Sequence, residues 1–118
     1  MREELVEAVL RVVEAIPPGR AATYGMIARA VGTSPRVVGR IMHDWGGGVP
    51  WWRVVSAHGT YPTTIRDSGF AEWEKEGMPH DVVRGKLLLD QCVVEQEWLD
   101  CVGRIIVDNL RNSTELSD

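Results

Sequence analysis

The residues best suited to chemistry fall in the first half of the chain. Pro50-Trp51-Trp52-Arg53-Val54-Val55 sets two adjacent indoles after a Gly-Gly-Gly-Val-Pro approach, followed by an arginine and two β-branched residues. That order predicts a concave aromatic corner on the first residues of a strand, a shape that holds a flat ring. Alternation along a strand sends neighbouring side chains to opposite faces, so one indole is expected in the core while the other needs a different role. Upstream, Thr23-Tyr24-Gly25 and Ser34-Pro35-Arg36-Val37-Val38-Gly39-Arg40 combine capping hydroxyls with an aromatic ring and two arginines. Arg36 and Arg40 are four apart and share a helix face. Arg36 stands in the first turn, where a cation opposes the helix dipole. Departures from local rules concentrate at functional sites, and a nucleic-acid partner explains Arg36 better than helix stability does. Gly39, between the two arginines, costs about 1 kcal/mol relative to alanine inside a helix and predicts close approach of another backbone, helix or DNA.

The two cysteines offer less. Cys92 and Cys101 lie in a stretch that reads as helix, at a spacing that suits neither a metal knuckle nor a redox pair, and both are expected as buried free thiols. Neither sits near the tryptophan motif or in an electropositive setting, so neither reads as a thiolate nucleophile. No cofactor and no metal is expected.

The elements that must position these residues follow from periodicity and punctuation. Apolar residues at helical spacing from Glu3 to Ile16 predict an amphipathic packing helix, ended by Pro17-Pro18-Gly19. Thr23 caps a short helix from Tyr24 to Val31, closed by Gly32, and Ser34-Pro35 opens the next, from Arg36 to about His43. Two short helices joined by a tight turn make a helix-turn-helix whose second member is the candidate groove reader. Gly46-Gly47-Gly48 reads as a flexible connector, and Trp52 to Ser56, His58-Gly59 and Thr60-Tyr61 as strand, turn and strand of a small β-hairpin, the wing of a winged helix. Pro62 ends that hairpin, residues 63–67 form a loop, and Ser68 caps a helix from about Gly69 to Glu76. Val82 to Leu89 fits a short strand or a helix equally well. Glu95 to Leu110, with Trp98, Val102, Ile105, Ile106 and Leu110 on one face, predicts a terminal helix that frays from Asn112 onward.

A chain of 118 residues supports one small domain with a single modest core. No stretch approaches a membrane span, and Glu3-Glu4 stand where a signal peptide carries its basic region, which predicts a cytoplasmic protein. The net charge of −4 is unevenly placed. Residues 1–60 carry 7 basic side chains, all arginine, against 5 acids, and residues 61–118 carry 6 against 12. Arginine is the residue suited to phosphate forks and base stacking, so the motif half is also the half suited to nucleic acid.

Taken together, Pro18-x-Gly-x-x-x-Thr23-Tyr24-Gly25-x-Ile27-Ala28, Arg36-x-Val38-Gly39, and Val49-Pro50-Trp51-x-Arg53-Val54-Val55 with Gly59 beyond resemble the DNA-binding domain of O6-alkylguanine-DNA alkyltransferases. They are more closely similar to the alkyltransferase-like proteins, in which tryptophan stands where the enzymes have their acceptor cysteine. The likeness covers about residues 3 to 78. It implies a mainly α fold with a small β-hairpin and a winged helix-turn-helix domain, taken as residues 1–89; residues 90–118 lie outside the likeness and are read from their own periodicity as a C-terminal helical extension packed on the same domain. It gives Tyr24 the place of the tyrosine that rotates a DNA phosphate, and Arg36 that of the arginine finger that fills the gap left by a flipped base. Trp51 takes the place of the acceptor cysteine, Trp52 that of the histidine, and Arg53 that of the motif arginine. Thr23, Ser34 and Arg40 join Tyr24 and Arg36 on the expected DNA face, and Pro50, Trp51, Arg53 and Tyr24 form the expected lesion pocket. The implied function is non-enzymatic: binding of double-stranded DNA carrying O6-alkylguanine by nucleotide flipping, and handing of the lesion to nucleotide excision repair proteins. No membrane contact is expected, and a monomer is favoured although the sequence leaves open whether the terminal helix pairs two chains. Three rival readings stay open on the sequence: a winged-helix regulator reading a fixed DNA sequence, a divergent alkyltransferase using Cys92 or Cys101, and a winged helix used for protein contacts, which the overall acidity supports.

Overall fold

The computed structural model describes residues 3–61 and 66–116, excepting the side chains of 66, 67 and 114–116. Pro62 and residues 63–65, expected as the end of a strand and a loop, lie outside the described residues. Helix α1 (Glu3–Ala15) buries Ala8, Val9, Val12 and Val13 and carries Glu3 and Glu4 in its first turn, where acids suit the helix dipole. A strand pairing comes next in space: β1 (Ala22–Thr23) lies parallel to β2 (Val54–Val55), Ala22 opposite Val54 and Thr23 opposite Val55. Helix α2 (Tyr24–Val31) starts on the Thr23 hydroxyl, which accepts the Met26 N–H at 3.1 Å, and ends on Gly32 in the left-handed conformation. Helix α3 (Pro35–Trp45) starts on the Ser34 hydroxyl, which accepts the Val37 N–H at 3.3 Å.

Period-2 alternation along the β1–β2 pair divides the interior in two. Ala22 and Val54 face a core of Val9, Val12, Val13, Ile16, Ile27, Val38, Ile41 and Leu99. Ala21 and Val55 face a second cluster of Tyr61, Trp73, Met78, Leu87 and Cys92. Fully burying each Val, Leu or Ile is worth about 1.5–3 kcal/mol, so the first cluster holds the helix-turn-helix on α1. The second cluster is built by α4 (Arg66–Glu76), β3 (His80–Asp81), β4 (Lys86–Leu87) and the single turn α5 (Leu89–Cys92).

The hairpin lies elsewhere than the sequence suggested. Val54 and Val55 pair in parallel with β1, so the expected antiparallel ladder from Trp52 to Tyr61 is reduced to a tight turn, with Ser56 N–H donating to the Thr60 carbonyl at 3.0 Å. The antiparallel hairpin is β3–β4, closed by the Gly85 N–H on the Asp81 carbonyl and the Arg84 N–H on the Asp81 carboxylate. That resolves the ambiguous Val82–Leu89 stretch as turn and strand. Helix α4 begins at Arg66, so Ser68 lies inside it and is not its cap. Gly46–Gly48, expected as a loose connector, winds into a short 3-10 helix.

Helix α6 (Gln96–Leu116) packs on α1 and α2 and is longer than expected, running past Asn112 without fraying there. Its inner stripe is Leu99, Gly103 and Ile106, while Trp98 and Ile105 are 38% and 56% exposed. Of the expected apolar face, Ile106 packs on the core as expected, whereas Trp98 and Ile105 lie off the inner stripe. Gly103 fixes the rotation: a Cβ there would stand 2.8 Å from the Ala30 carbonyl carbon, so only glycine lets the α6 and α2 backbones approach so closely. No helix among the described residues is long and apolar enough to cross a membrane.

Candidate nucleic-acid interface

The β1–β2 pair brings the two sequence motifs together. Thr23 lies beside Val55, which places the start of α2, with Tyr24, next to the segment that carries both tryptophans. That segment is not the start of a strand. Trp51–Arg53 is one turn of 3-10 helix after Pro50, whose carbonyl accepts the Arg53 N–H at 3.1 Å. Strand alternation does not apply to such a turn, and the indoles do not point to opposite faces. Their centroids are 5.8 Å apart at 82°, an edge-to-face contact, and both side chains are half-buried. The fully buried tryptophan is Trp73 of α4.

The turn is fastened on nearly every side. The Trp52 carbonyl accepts hydrogen bonds from the Tyr61 hydroxyl and from the Trp73 indole N–H, the latter at 2.8 Å. The Trp52 indole donates to the Glu76 carboxylate at 2.8 Å. Arg53 forks onto the same carboxylate, Nε at 3.0 Å and Nη2 at 2.5 Å, and donates through Nη1 to the Ile16 carbonyl at 2.9 Å. Glu76 also accepts the Gly19 N–H at 3.0 Å, so one carboxylate ties the loop after α1, the tryptophan turn and the end of α4. Burial alone raises the Glu76 pKa, but the hydrogen bonds from Arg53, Gly19 and Trp52 outweigh it and hold the carboxyl below its ordinary value. Tyr61 stacks on Trp73 at 4.9 Å and lies edge-on to Trp51 at 5.9 Å. Its phenol is pushed well up, chiefly by burial. A Cβ on Gly69 would stand 2.8 Å from the Tyr61 ring, so α4 closes directly over it.

Within this frame the Trp51 indole differs. It packs on Trp52 and Tyr61, and its N–H has no hydrogen-bond partner among the described residues. Arg53, expected in the pocket, lies in the frame instead, its side chain 11% exposed and its guanidinium 5.6 Å from the Trp52 ring centroid. Tyr24 is half-buried against the first core, and that burial raises its phenol pKa. Arg36 is exposed and makes no hydrogen bond or ion pair with any described residue. Arg40 is exposed and sits at 4.0 Å from Asp44. Thr23 and Ser34 hold their helix caps. Gly39 has no neighbour within 4 Å of where a Cβ would be among the described residues outside its own helix, so the close approach of another helix, one of the two expected there, is not found among them.

Sequence reasoning missed Tyr61, Trp73 and Glu76. For Glu76 a signal existed: an acid in the last turn of a helix opposes the dipole, the same kind of departure that drew attention to Arg36. The cysteines divide. Cys92 is buried, its sulfur 3.6 Å from the Leu88 carbonyl and its pKa raised by burial, whereas Cys101 is exposed on α6, contrary to expectation. A buried thiol with a raised pKa is not an activated nucleophile.

Residues 4–77 match the family described as 6-O-methylguanine DNA methyltransferase, DNA binding domain. Helix-turn-helix, tryptophan turn and α4 all fall within that span. The crystal structure of S. pombe Atl1 with damaged DNA containing O6-carboxymethylguanine superposes with a TM-score of 0.70 at 32% identity, covering 80% of this chain and 99% of that one. The chain is an alkyltransferase-like member of this family. The S. pombe ATL complex with DNA gives a TM-score of 0.67, also at 32% identity. The DNA base-flipping protein of Escherichia coli K12 is 39% identical over 65 residues, which make up 52% of this chain and 50% of that protein. The alkyltransferase-like chain thus spans about half the length of the curated relatives it matches, and those relatives, from Escherichia coli K12 and Shigella flexneri, are DNA base-flipping proteins.

Proposed function

We propose that this alkyltransferase-like protein is a non-enzymatic DNA damage sensor that binds O6-alkylguanine in duplex DNA by flipping the nucleotide, and that it marks the lesion for nucleotide excision repair. The observation that carries the proposal is Trp51, an indole whose N–H has no hydrogen-bond partner among the described residues, held by a turn in which the neighbouring side chains are tied down; in the resemblance it takes the place of the acceptor cysteine. Such a residue offers stacking surface and no nucleophile. Trp52 stands in place of the family histidine and donates to Glu76, so no base is available to make a thiolate either.

Flipping a base costs a few kcal/mol, less when an adduct has already weakened its pairing. Stacking on an aromatic wall returns about 1–3 kcal/mol per base. In this reading Arg36, exposed and without a partner among the described residues, enters the duplex and fills the gap, and Tyr24 presses on the adjoining phosphate from the start of α2. Arg40, Thr23 and Ser34 lie along the phosphate backbone, and Pro50 shapes the pocket entrance. Arg53 supports the pocket from behind through Glu76. This reading calls for no cofactor and favours a monomer on the DNA. Titration of matched duplexes with and without O6-methylguanine, followed by intact-mass measurement of the protein, tests the proposal. Preference for the modified duplex with unchanged mass supports it; equal affinities, or a methyl gain on the protein, overturn it.

A further inference from the structure

Trp52, which the resemblance sets in the place of a histidine, is tied at both its backbone and its ring. Its carbonyl accepts from the Trp73 indole at 2.8 Å and from the Tyr61 hydroxyl. Its indole N–H donates to the Glu76 carboxylate at 2.8 Å, and the Arg53 guanidinium lies 5.6 Å from its ring centroid. Glu76 is itself fixed by the Arg53 fork and by the Gly19 N–H at 3.0 Å. A ring anchored in this way meets Trp51 edge to face, at 5.8 Å and 82°.

Trp51 is held differently. Its backbone is fixed, the N–H on the Val49 carbonyl at 2.7 Å and the carbonyl accepting the Val54 N–H, which leaves the two side-chain torsions. The indole N–H has no hydrogen-bond partner among the described residues, so ring contacts decide where the indole stands. One is Tyr61, at 5.9 Å and 62°, a rigid wall because it is buried and stacked on Trp73. The other is Trp52. We propose that Trp52 is a positioning residue for Trp51: anchored through Glu76, it holds the Trp51 indole in one orientation before DNA arrives, and so sets the lesion preference without touching the lesion. The effect on recognition rests on the functional reading above, whereas the holding of the ring does not. A preset ring loses less rotamer freedom on binding than one the ligand must order. Beyond the area it buries, an edge-to-face contact corresponds to about 2- to 12-fold in the population of the held orientation.

The test uses the full chain with Trp52→Leu, which removes ring and donor, and with Trp52→Phe, which keeps a ring against Trp51. Each is made alone and together with Trp51→Ala. Matched duplexes with and without O6-methylguanine give affinity and preference, and thermal melting gives stability. Incorporated 5-fluorotryptophan reports on Trp51 in the free protein, its fluorine line being the one lost in Trp51→Phe. Expected are one narrow Trp51 line in the parent, broadening or splitting in Trp52→Leu, and recovery in Trp52→Phe. The lesion preference should fall about 2- to 12-fold in Trp52→Leu and largely return in Trp52→Phe. Added to Trp51→Ala, Trp52→Leu should cause no further loss of affinity for the modified duplex, since a residue that acts through another has nothing left to act on. A Trp51 line as narrow in Trp52→Leu as in the parent, an undiminished loss in the Trp51→Ala background, or a preference that merely follows the melting temperature would each overturn the proposal. A parent indifferent to the methyl group would overturn the functional reading and with it the effect on recognition, while the fluorine lines would still decide whether Trp52 holds the ring.

Discussion

Glu76→Ala should cost more than its place at the end of α4 would suggest. The Arg53–Glu76 pair is nearly buried, with 11% and 12% of the two side chains exposed, and the same carboxylate holds the Gly19 N–H and the Trp52 indole. Removing one partner of such a pair leaves a buried cation uncompensated, at a cost of about 3–5 kcal/mol, whereas an exposed pair is worth about 0–1 kcal/mol. Against a total stability of about 5–15 kcal/mol that is a large fraction, equivalent to a fall in Tm of roughly 10–20 °C. Glu76→Gln keeps an acceptor oxygen and should cost less, about 1–3 kcal/mol. The assay is urea unfolding of the parent, Glu76→Ala, Arg53→Ala and the double variant, with a coupling energy of about 2–3 kcal/mol expected from the cycle. Glu76→Gln should also lower discrimination between modified and plain duplex while still folded, because the Trp51 turn loses its fastening. A cost below about 1 kcal/mol for Glu76→Ala, or additive single effects, would refute the assignment of this carboxylate as the tie of the site.

Acid should act through the same group: the folded-state pKa of Glu76 lies below its unfolded value, so its stabilisation is present above the ordinary carboxylate pKa and lost as pH falls through the folded value. The stability gap between the parent and Glu76→Gln is therefore expected to close on acidification, and a gap independent of pH in urea titrations would contradict this. Arg36→Ala should weaken lesion binding more than Arg40→Ala, since an inserted side chain replaces lost stacking while a phosphate contact adds a screened charge; equal losses with equal changes in salt slope would instead mean two phosphate contacts. Trp51→Ala should fold and lose roughly 5- to 150-fold in preference for the lesion, the equivalent of about 1–3 kcal/mol of stacking, while Trp73→Ala should lose about 3–5 kcal/mol of stability. Thermal melts beside binding curves separate the two, and a Trp51→Ala protein that melts as early as Trp73→Ala would make both tryptophans core residues.

What the sequence made legible was local. The Thr23 and Ser34 caps, the Gly32 stop and the helix-turn-helix between them depend on side chains within four residues of the groups they satisfy, and they form as expected. The parallel pairing of Ala22–Thr23 with Val54–Val55 joins segments about thirty residues apart, and nothing in either dipeptide specifies its partner. Once that pairing takes the backbone of Val54 and Val55, the expected hairpin has no ladder to form and the tryptophans sit on a 3-10 turn. Helix α6 was legible only in part: Ile106 of the expected Trp98–Val102–Ile105–Ile106–Leu110 face packs on the core, but the inner stripe runs through Leu99 and Gly103, a neighbouring row with the same helical period. The choice between them rests on the fit of Gly103 against Ala30, a contact that periodicity does not contain. Of the candidate site, the sequence singled out Arg36, which is exposed, and Trp51, which is half-buried, but not their supports, because Tyr61, Trp73 and Glu76 gain their roles only when α4 closes over the turn.

The most direct test of the account is a fluorescence titration of the protein with a duplex holding one O6-methylguanine and with the same duplex holding guanine, repeated in a second flanking sequence and ended by intact-mass measurement. The account predicts tighter binding of the modified duplex in both sequences, with quenching of tryptophan emission that largely disappears in Trp51→Phe, and unchanged mass. Binding that follows the flanking sequence and ignores the methyl group would contradict it, as would quenching unaltered by Trp51→Phe or a methyl group found on the protein.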